Sequence, residues 1–224
     1  KIYRESASEL VPFSVKVLAS SLLSFFSGSI CNLVIGKTHS MTDLGYYEKG
    51  GLFPQTISLY TFSAVSNVFL PVFSSVQNNN KKLNIIFQRV LNVSMFVIIP
   101  LMAGLCMTAE PLISVILTDK WLPSAVILRW SCLYYVMTPM LLAHVQLHFA
   151  IGKSDTRIKV ESAKLVVTIL ALIVLSYFKL PISYVAAAMA LIQVGIVVMI
   201  TIETKKAIQF EIGVMIKNIF PTII

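Results

Sequence analysis

PISYVAAAMALIQVGIVVMITI, residues 181–202, contains no charged side chain. An uninterrupted apolar run of about 20 residues, coiled as an α-helix, matches the hydrocarbon thickness of a bilayer. No soluble helix needs to be apolar on every face, so this stretch predicts a membrane span. Five further apolar runs lie upstream, at about 12–36, 52–76, 85–107, 123–151 and 162–178. The fifth is short, but a helix begun near residue 158 spans if Lys159 and Lys164 snorkel.

The whole chain follows the same pattern. Its 224 residues are 57% hydrophobic and 12% charged, with a mean hydropathy of +0.83. Soluble domains are about half apolar and about a quarter charged, which excludes the ordinary soluble reading. Apolar runs of this length favour helices over a barrel, whose strands would alternate with a period of two. The expected fold is therefore all-α: a polytopic transmembrane bundle of about six spans. Residues 1–204 are expected to form this lobe. Residues 205–224 are expected to form an amphipathic surface segment, with Lys205, Lys206, Glu211 and Lys217 among apolar neighbours, leading toward a further span. Pro111 to Leu117 is too short to cross and reads as a continuation of the third helix or an interfacial turn of helix.

The net charge of +8 does not mark a nucleic-acid binder, because the basic residues are scattered through short loops. Lys1 and Arg4, then Lys81, Lys82 and Arg89, then Lys153, Arg157, Lys159 and Lys164, then Lys205, Lys206 and Lys217 fall on one side of an alternating topology. The opposite loops hold Lys37 and Lys49, Lys120, and Lys179. Under the positive-inside rule this asymmetry places both termini in the cytoplasm, in agreement with an even number of spans. The N-terminus is polar and the first apolar run is too long for a signal peptide. With Lys1 in place of a methionine, the chain is expected to be a fragment of a longer protein.

Two helical faces carry polar side chains. Lys16, Ser20, Ser24, Ser27 and Cys31 fall within an arc of about 80° on the first span. On the second, Thr56, Tyr60, Ser63, Asn67 and Ser74 fall within about 60°. Such stripes either line a hydrophilic interior or pack helix on helix through small hydroxyls, and periodicity leaves both open. Pro54 and Pro71 each remove a backbone donor and invite kinks in the second span. Among ionisable groups at or inside the spans, Arg89, His144 and Lys164 are candidates for phosphate contact or proton coupling. His144 and His148 are four residues apart, but no third ligand is near, so no metal is expected. Ala186 and Ala190, continued by Gln193, read as a packing seam.

Catalysis has no support. Glu110, Asp119, Glu161 and Glu203 lie at helix ends, so no paired acids suit glycoside hydrolysis. Neither a phosphate-cradling loop nor a nucleophile elbow is present. Cys31, Cys106 and Cys132 are isolated in apolar segments and read as small buried residues. No enzyme activity and no cofactor are expected.

LVIGKTHSMTDLGYYEKGGLFPQTISLYTFSAVSNVFLPVFSSVQNN, starting at Leu33, resembles the polysaccharide transporter family of Wzx-like oligosaccharide and O-antigen flippases. That family belongs to the superfamily that also holds multidrug and toxic-compound extruders. The likeness lies in the IGK segment Ile35 to Lys37, the DLGYY loop Asp43 to Tyr47, and Leu70 to Ser74. AEPLISVILTDKWLPSAVIL, Ala109 to Leu128, is similar to a later segment of the family. The resemblance implies two helical lobes about a central cavity, of which this chain is the C-terminal one. It implies flipping of undecaprenyl-pyrophosphate-linked oligosaccharide across the bacterial inner membrane for surface polysaccharide biosynthesis, by alternating access. The expected partners are the lipid-linked oligosaccharide, membrane lipids and the missing N-terminal lobe. The stripes then become cavity candidates: Lys16, Ser20, Ser24 and Ser27, with Thr56, Tyr60, Ser63 and Asn67. Two rivals remain: a cation-coupled exporter of the same superfamily, which a buried carboxylate would favour, and a non-transporting scaffold or polymerase subunit.

Overall fold

The computed structural model describes residues 4–76, 79–153 and 155–208. Its helices are α1 (Arg4–Thr38), α2 (Met41–Ser75), α3 (Asn80–Met107), α4 (Ala109–Leu117), α5 (Ser124–Val136), α6 (Thr138–Ala150), α7 (Asp155–Tyr177) and α8 (Ile182–Ile208). A single 3-10 turn, Asp119–Trp121, joins α4 to α5. No strand occurs among the described residues.

Local chemistry explains the breaks. Between α1 and α2, the Ser40 hydroxyl accepts from the Asp43 amide at 3.0 Å while Asp43 accepts from the Ser40 amide at 3.1 Å, a closed capping box. Asn79 caps α3 by accepting from the Lys82 amide at 3.0 Å. The fourth apolar run is one rod in two pieces, broken at Met137, because Pro139 removes a donor at the start of α6. Gly152, at φ +73, closes α6 in the left-handed conformation that glycine adopts freely. α2 continues as helix past both Pro54 and Pro71.

Of the two readings of Pro111 to Leu117, the structure has a separate short helix, α4, and not a continuation of α3, since the chain turns at Thr108. Asp43 to Tyr47, read as a loop, lie inside α2. The last long helix runs past residue 204 to Ile208, with the exposed Lys205 and Lys206 in its last turn. Basic residues in a last helical turn are favoured by the helix dipole. The remainder of the expected amphipathic segment, 209–224, lies outside the described residues.

α3 shows how the bundle is organised. Leu83, Phe87, Leu91, Met95, Ile98, Met102 and Leu105 recur at helical spacing and are all buried against α5, α6 and α8. Ile85, Val93, Phe96, Val97 and Leu101, on its other side, are exposed. Apolar side chains pointing outward suit a helix whose solvent is lipid. Among the described residues, four stretches are long and apolar enough to cross a bilayer: Val17–Thr38, Lys81–Met107, Ser124–Ala150 and Ile182–Ile208.

α2 packs chiefly on α5, α1 on α7, and α8 on both α5 and α7. The closest approach lies at Gly50, where an added Cβ would stand 2.8 Å from Ile127 Cβ and 2.9 Å from the Ser124 carbonyl oxygen. Nearby, Trp121 meets Tyr46 edge to face at 5.8 Å between ring centroids, and Lys49 Nζ lies 5.9 Å from the Trp121 ring. The exposed Arg129–Glu110 pair, at 2.9 Å, links α5 to α4 at the same end.

Candidate functional site

Where α1, α2, α5, α7 and α8 converge they leave a cavity of about 460 Å³. α1 contributes Ser24, Ser27, Cys31 and Asn32, and α2 contributes Tyr47, Glu48, Gly51 and Gln55. α5 adds Ser131, Tyr134 and Tyr135, and α7 adds Lys164 and Thr168. α8 closes the wall with Ala186, Met189 and Ile192. A concave site with a few placed polar groups among aromatic and apolar ones is the usual form of a small-molecule site.

The polar groups are tied down across helices. Asn32 Nδ2 donates to Glu48 Oε1 at 2.5 Å, and the Cys31 thiol donates to the Tyr47 hydroxyl oxygen at 3.6 Å, so α1 and α2 are joined at the cavity wall. Lys164 Nζ donates to the Tyr134 hydroxyl at 2.9 Å, joining α7 to α5. Ser27 donates to the Leu23 carbonyl at 2.9 Å. That bond consumes its only proton and leaves acceptor lone pairs.

The α5–α6 break supports this wall. Pro139 has no N–H, so the carbonyl of Tyr135, four residues earlier, loses its helical donor. Ser58 of α2, fully buried, donates to that oxygen at 3.1 Å. The Met137 amide also bonds to that oxygen, and the Ser58 hydroxyl adds a donor from another helix, fixing α2 against the break. A proline inside a helix signals a carbonyl four residues back without its helical donor, but only the fold reveals which donors reach it.

The structure brings three of the candidates read from sequence to this cavity: Ser24, Ser27 and Lys164. Ser20 is buried one turn below and donates to the Val17 carbonyl at 2.8 Å. Thr56, Tyr60 and Ser63 lie on an exposed face of α2 outside the lining, with Tyr60 74% exposed. Thr56 donates to the Leu52 carbonyl at 2.7 Å and Ser63 to the Tyr60 carbonyl at 3.1 Å. The side chains of Lys16 and Asn67 lie outside the described residues. Arg89 is exposed on α3, which contributes nothing to the lining.

His144 is fully buried away from the cavity, with Nδ1 2.7 Å from the Thr204 hydroxyl and Nε2 3.2 Å from that of Thr201. Phe87 meets its ring edge to face at 4.9 Å. It therefore pins α6 to α8. No cluster of three metal-ligating side chains occurs among the described residues.

Sequence reasoning passed over Asn32, Tyr47, Glu48, Gln55, Ser131 and Tyr134, all of which line the cavity. Tyr47, Glu48, Gly51 and Gln55 share a side of α2, and that spacing was available in the sequence. The charged Glu48 beside Gly50 and Gly51 was the signal, because glycines mark close helix approach.

An all-helical bundle that turns apolar side chains outward and encloses a polar cleft is a polytopic integral membrane protein. Residues 1–126 match the family described as "Polysaccharide biosynthesis protein". The chain belongs to that family. An "Uncharacterized membrane protein in cps region" of Klebsiella pneumoniae is 22% identical over 166 residues, which cover 74% of this chain and 34% of that protein. The chain thus spans about a third of the length of this curated relative. Among solved structures, "Lipid II flippase MurJ, inward closed conformation" shares the fold at a TM-score of 0.71 and 17% identity, over 91% of this chain and 44% of that one.

Proposed function

We propose that the chain is one lobe of a bacterial inner-membrane flippase that moves undecaprenyl-pyrophosphate-linked oligosaccharide between leaflets for surface polysaccharide synthesis. The observation that carries this reading is the polar cavity set into an otherwise apolar bundle, in a fold shared with a lipid II flippase. Flipping requires a polar glycan to be sheltered while its prenyl tail stays in lipid. α1 offers both surfaces: Ser24, Ser27 and Asn32 face the cavity, while Leu22, Phe26 and Leu33 are exposed outside its lining.

In this reading all six long rods, counting α5–α6 as one, cross the membrane, and both termini are cytoplasmic. Ser24, Ser27 and Lys164 contact cargo, with Asn32, Tyr47, Glu48, Gln55, Ser131 and Tyr134 beside them. The N-terminal lobe of the same transporter supplies the facing wall. Rocking of two lobes about the site between them alternates access. The partial coverage of both relatives supports a second body of similar kind.

The test is complementation of a flippase-deficient strain by this chain alone, and by this chain co-expressed with the N-terminal half. Rescue only with both halves is the expected result. Rescue by the chain alone would overturn the half-transporter reading, and failure of both would overturn transport.

A further inference from the structure

We propose that the cavity recognises an acidic sugar within the glycan, with Lys164 binding the sugar's carboxylate and Tyr134 and Tyr135 receiving its ring; this rests on the proposed glycan cargo.

The placement of Lys164 is the first argument. It sits within α7, at about 1.5 Å per residue some 14 Å from Asp155 and 20 Å from Tyr177. Partly buried in the cavity wall, an ammonium is costly unless it meets a partner, and ionisable groups inside membrane bundles mark substrate pathways. Among the described residues its hydrogen-bond partner is the neutral Tyr134 hydroxyl, and no carboxylate reaches ion-pair distance. A lysine carries three donors, so two remain for a ligand in the cavity it lines.

Glu161, one turn earlier on α7, lies within electrostatic reach of Lys164 but forms no ion pair with it. It is buried, it does not line the cavity, and its Oε2 has no hydrogen-bond partner.

Charge selects the ligand class. The lining holds one cation, Lys164, and one carboxylate, Glu48, and is therefore neutral. A monoanion bound at Lys164 leaves one net negative charge in the site. A diphosphate would leave a larger one, facing Glu48 across a cavity of low dielectric. Diphosphates call for several cations or a bidentate arginine, and the lining offers neither. One ammonium beside a tyrosine hydroxyl matches a single carboxylate.

The rest of the lining suits the sugar that carries it. Tyr134 and Tyr135 stand edge to face with centroids 4.9 Å apart. They present ring surface to the apolar face of a pyranose. The Glu48–Asn32 pair and Gln55 supply acceptors and donors for its hydroxyls.

The experiment uses the protein in lipid nanodiscs, in whichever form rescues the flippase-deficient strain, or as the chain alone if none does. Binding of methyl glucuronide, methyl glucoside and inorganic pyrophosphate is followed by saturation-transfer difference NMR. The glucuronide is expected to bind about tenfold more tightly than the glucoside. That preference should vanish in Lys164→Met and persist in Lys164→Arg. Glu48→Gln, which removes the opposing carboxylate, should strengthen glucuronide binding.

Equal binding of the two sugars, or a preference that survives Lys164→Met, would overturn the proposal. Pyrophosphate displacing the glucuronide in a Lys164-dependent manner would also overturn it, by assigning the ammonium to the lipid's diphosphate. Loss of transport is read separately, by complementation, so failure of the flippase reading and failure of this one are distinguishable.

Discussion

Gly50→Ala tests the packing that sets the width of the cavity. The added Cβ would stand 2.8 Å from both Ile127 Cβ and Cγ2 and 2.9 Å from the Ser124 carbonyl oxygen. Carbon atoms pack at about 3.5–4.0 Å, so the shortfall is roughly 0.7 Å or more. Neither neighbour can swing aside: Ile127 Cβ is fixed to its own backbone in the core, and the Ser124 oxygen is backbone. α2 and α5 must therefore separate or tilt. Overpacking of this kind costs about 1–3 kcal/mol, of which about 1 kcal/mol returns because alanine favours helix over glycine. That leaves a net loss of about 0–2 kcal/mol against the parent protein and of about 1–3 kcal/mol against a glycine-to-alanine control without the clash, a melting temperature lower than the control's by about 2–12 °C. Two controls share the backbone effect without the clash. At Gly51 the nearest neighbour is Ser131 Oγ at 4.0 Å, and at Gly104 nothing lies within 4 Å. Alanine at either should leave stability unchanged or raise it slightly. The assay is thermal unfolding of the three variants in one detergent, followed by size-exclusion chromatography. Gly50→Ala as stable as Gly51→Ala and Gly104→Ala would refute the close approach of α2 and α5.

Ser58→Ala should destabilise the protein by about 1 kcal/mol, because it removes a buried hydrogen bond between α2 and the Tyr135 carbonyl and leaves that oxygen only the Met137 amide; Ser63→Ala, on the exposed face, should change melting by much less. Glu161→Met should raise the melting temperature, since a buried carboxylate oxygen without a partner is exchanged for apolar packing of similar volume; a fall of several degrees would show that Glu161 has a stabilising role. Single cysteines at Lys81 and Lys153 should resist membrane-impermeant thiol reagents added to intact cells, and those at Asp43 and Lys179 should react. The reverse pattern would invert the bundle.

The sequence by itself determined that this is a helical membrane protein, because apolar runs as long as residues 181–202 have no other stable use. It did not show where α2 begins: Asp43 to Tyr47, read as a loop, lie inside a helix that starts at Met41 behind the Ser40–Asp43 capping box, and the run 123–151, read as one span, is broken before Pro139. Tertiary structure alone decided which side of each helix faces the cavity. Periodicity gives the angle between Gln55 and Thr56, about 100°, but not the rotation of α2 about its axis. That rotation follows from the contact of Gly50 with α5, and it turns Tyr47, Glu48 and Gln55 inward while Thr56, Tyr60 and Ser63 face outward. On α1 periodicity grouped Ser24 with Ser27, and only the packing of the helices shows that this face borders the cavity. The pairing of Lys164 with Tyr134 and of His144 with Thr201 and Thr204 joins residues 30, 57 and 60 positions apart. No local rule reaches across such separations; only the packing of whole helices brings those side chains within hydrogen-bonding distance.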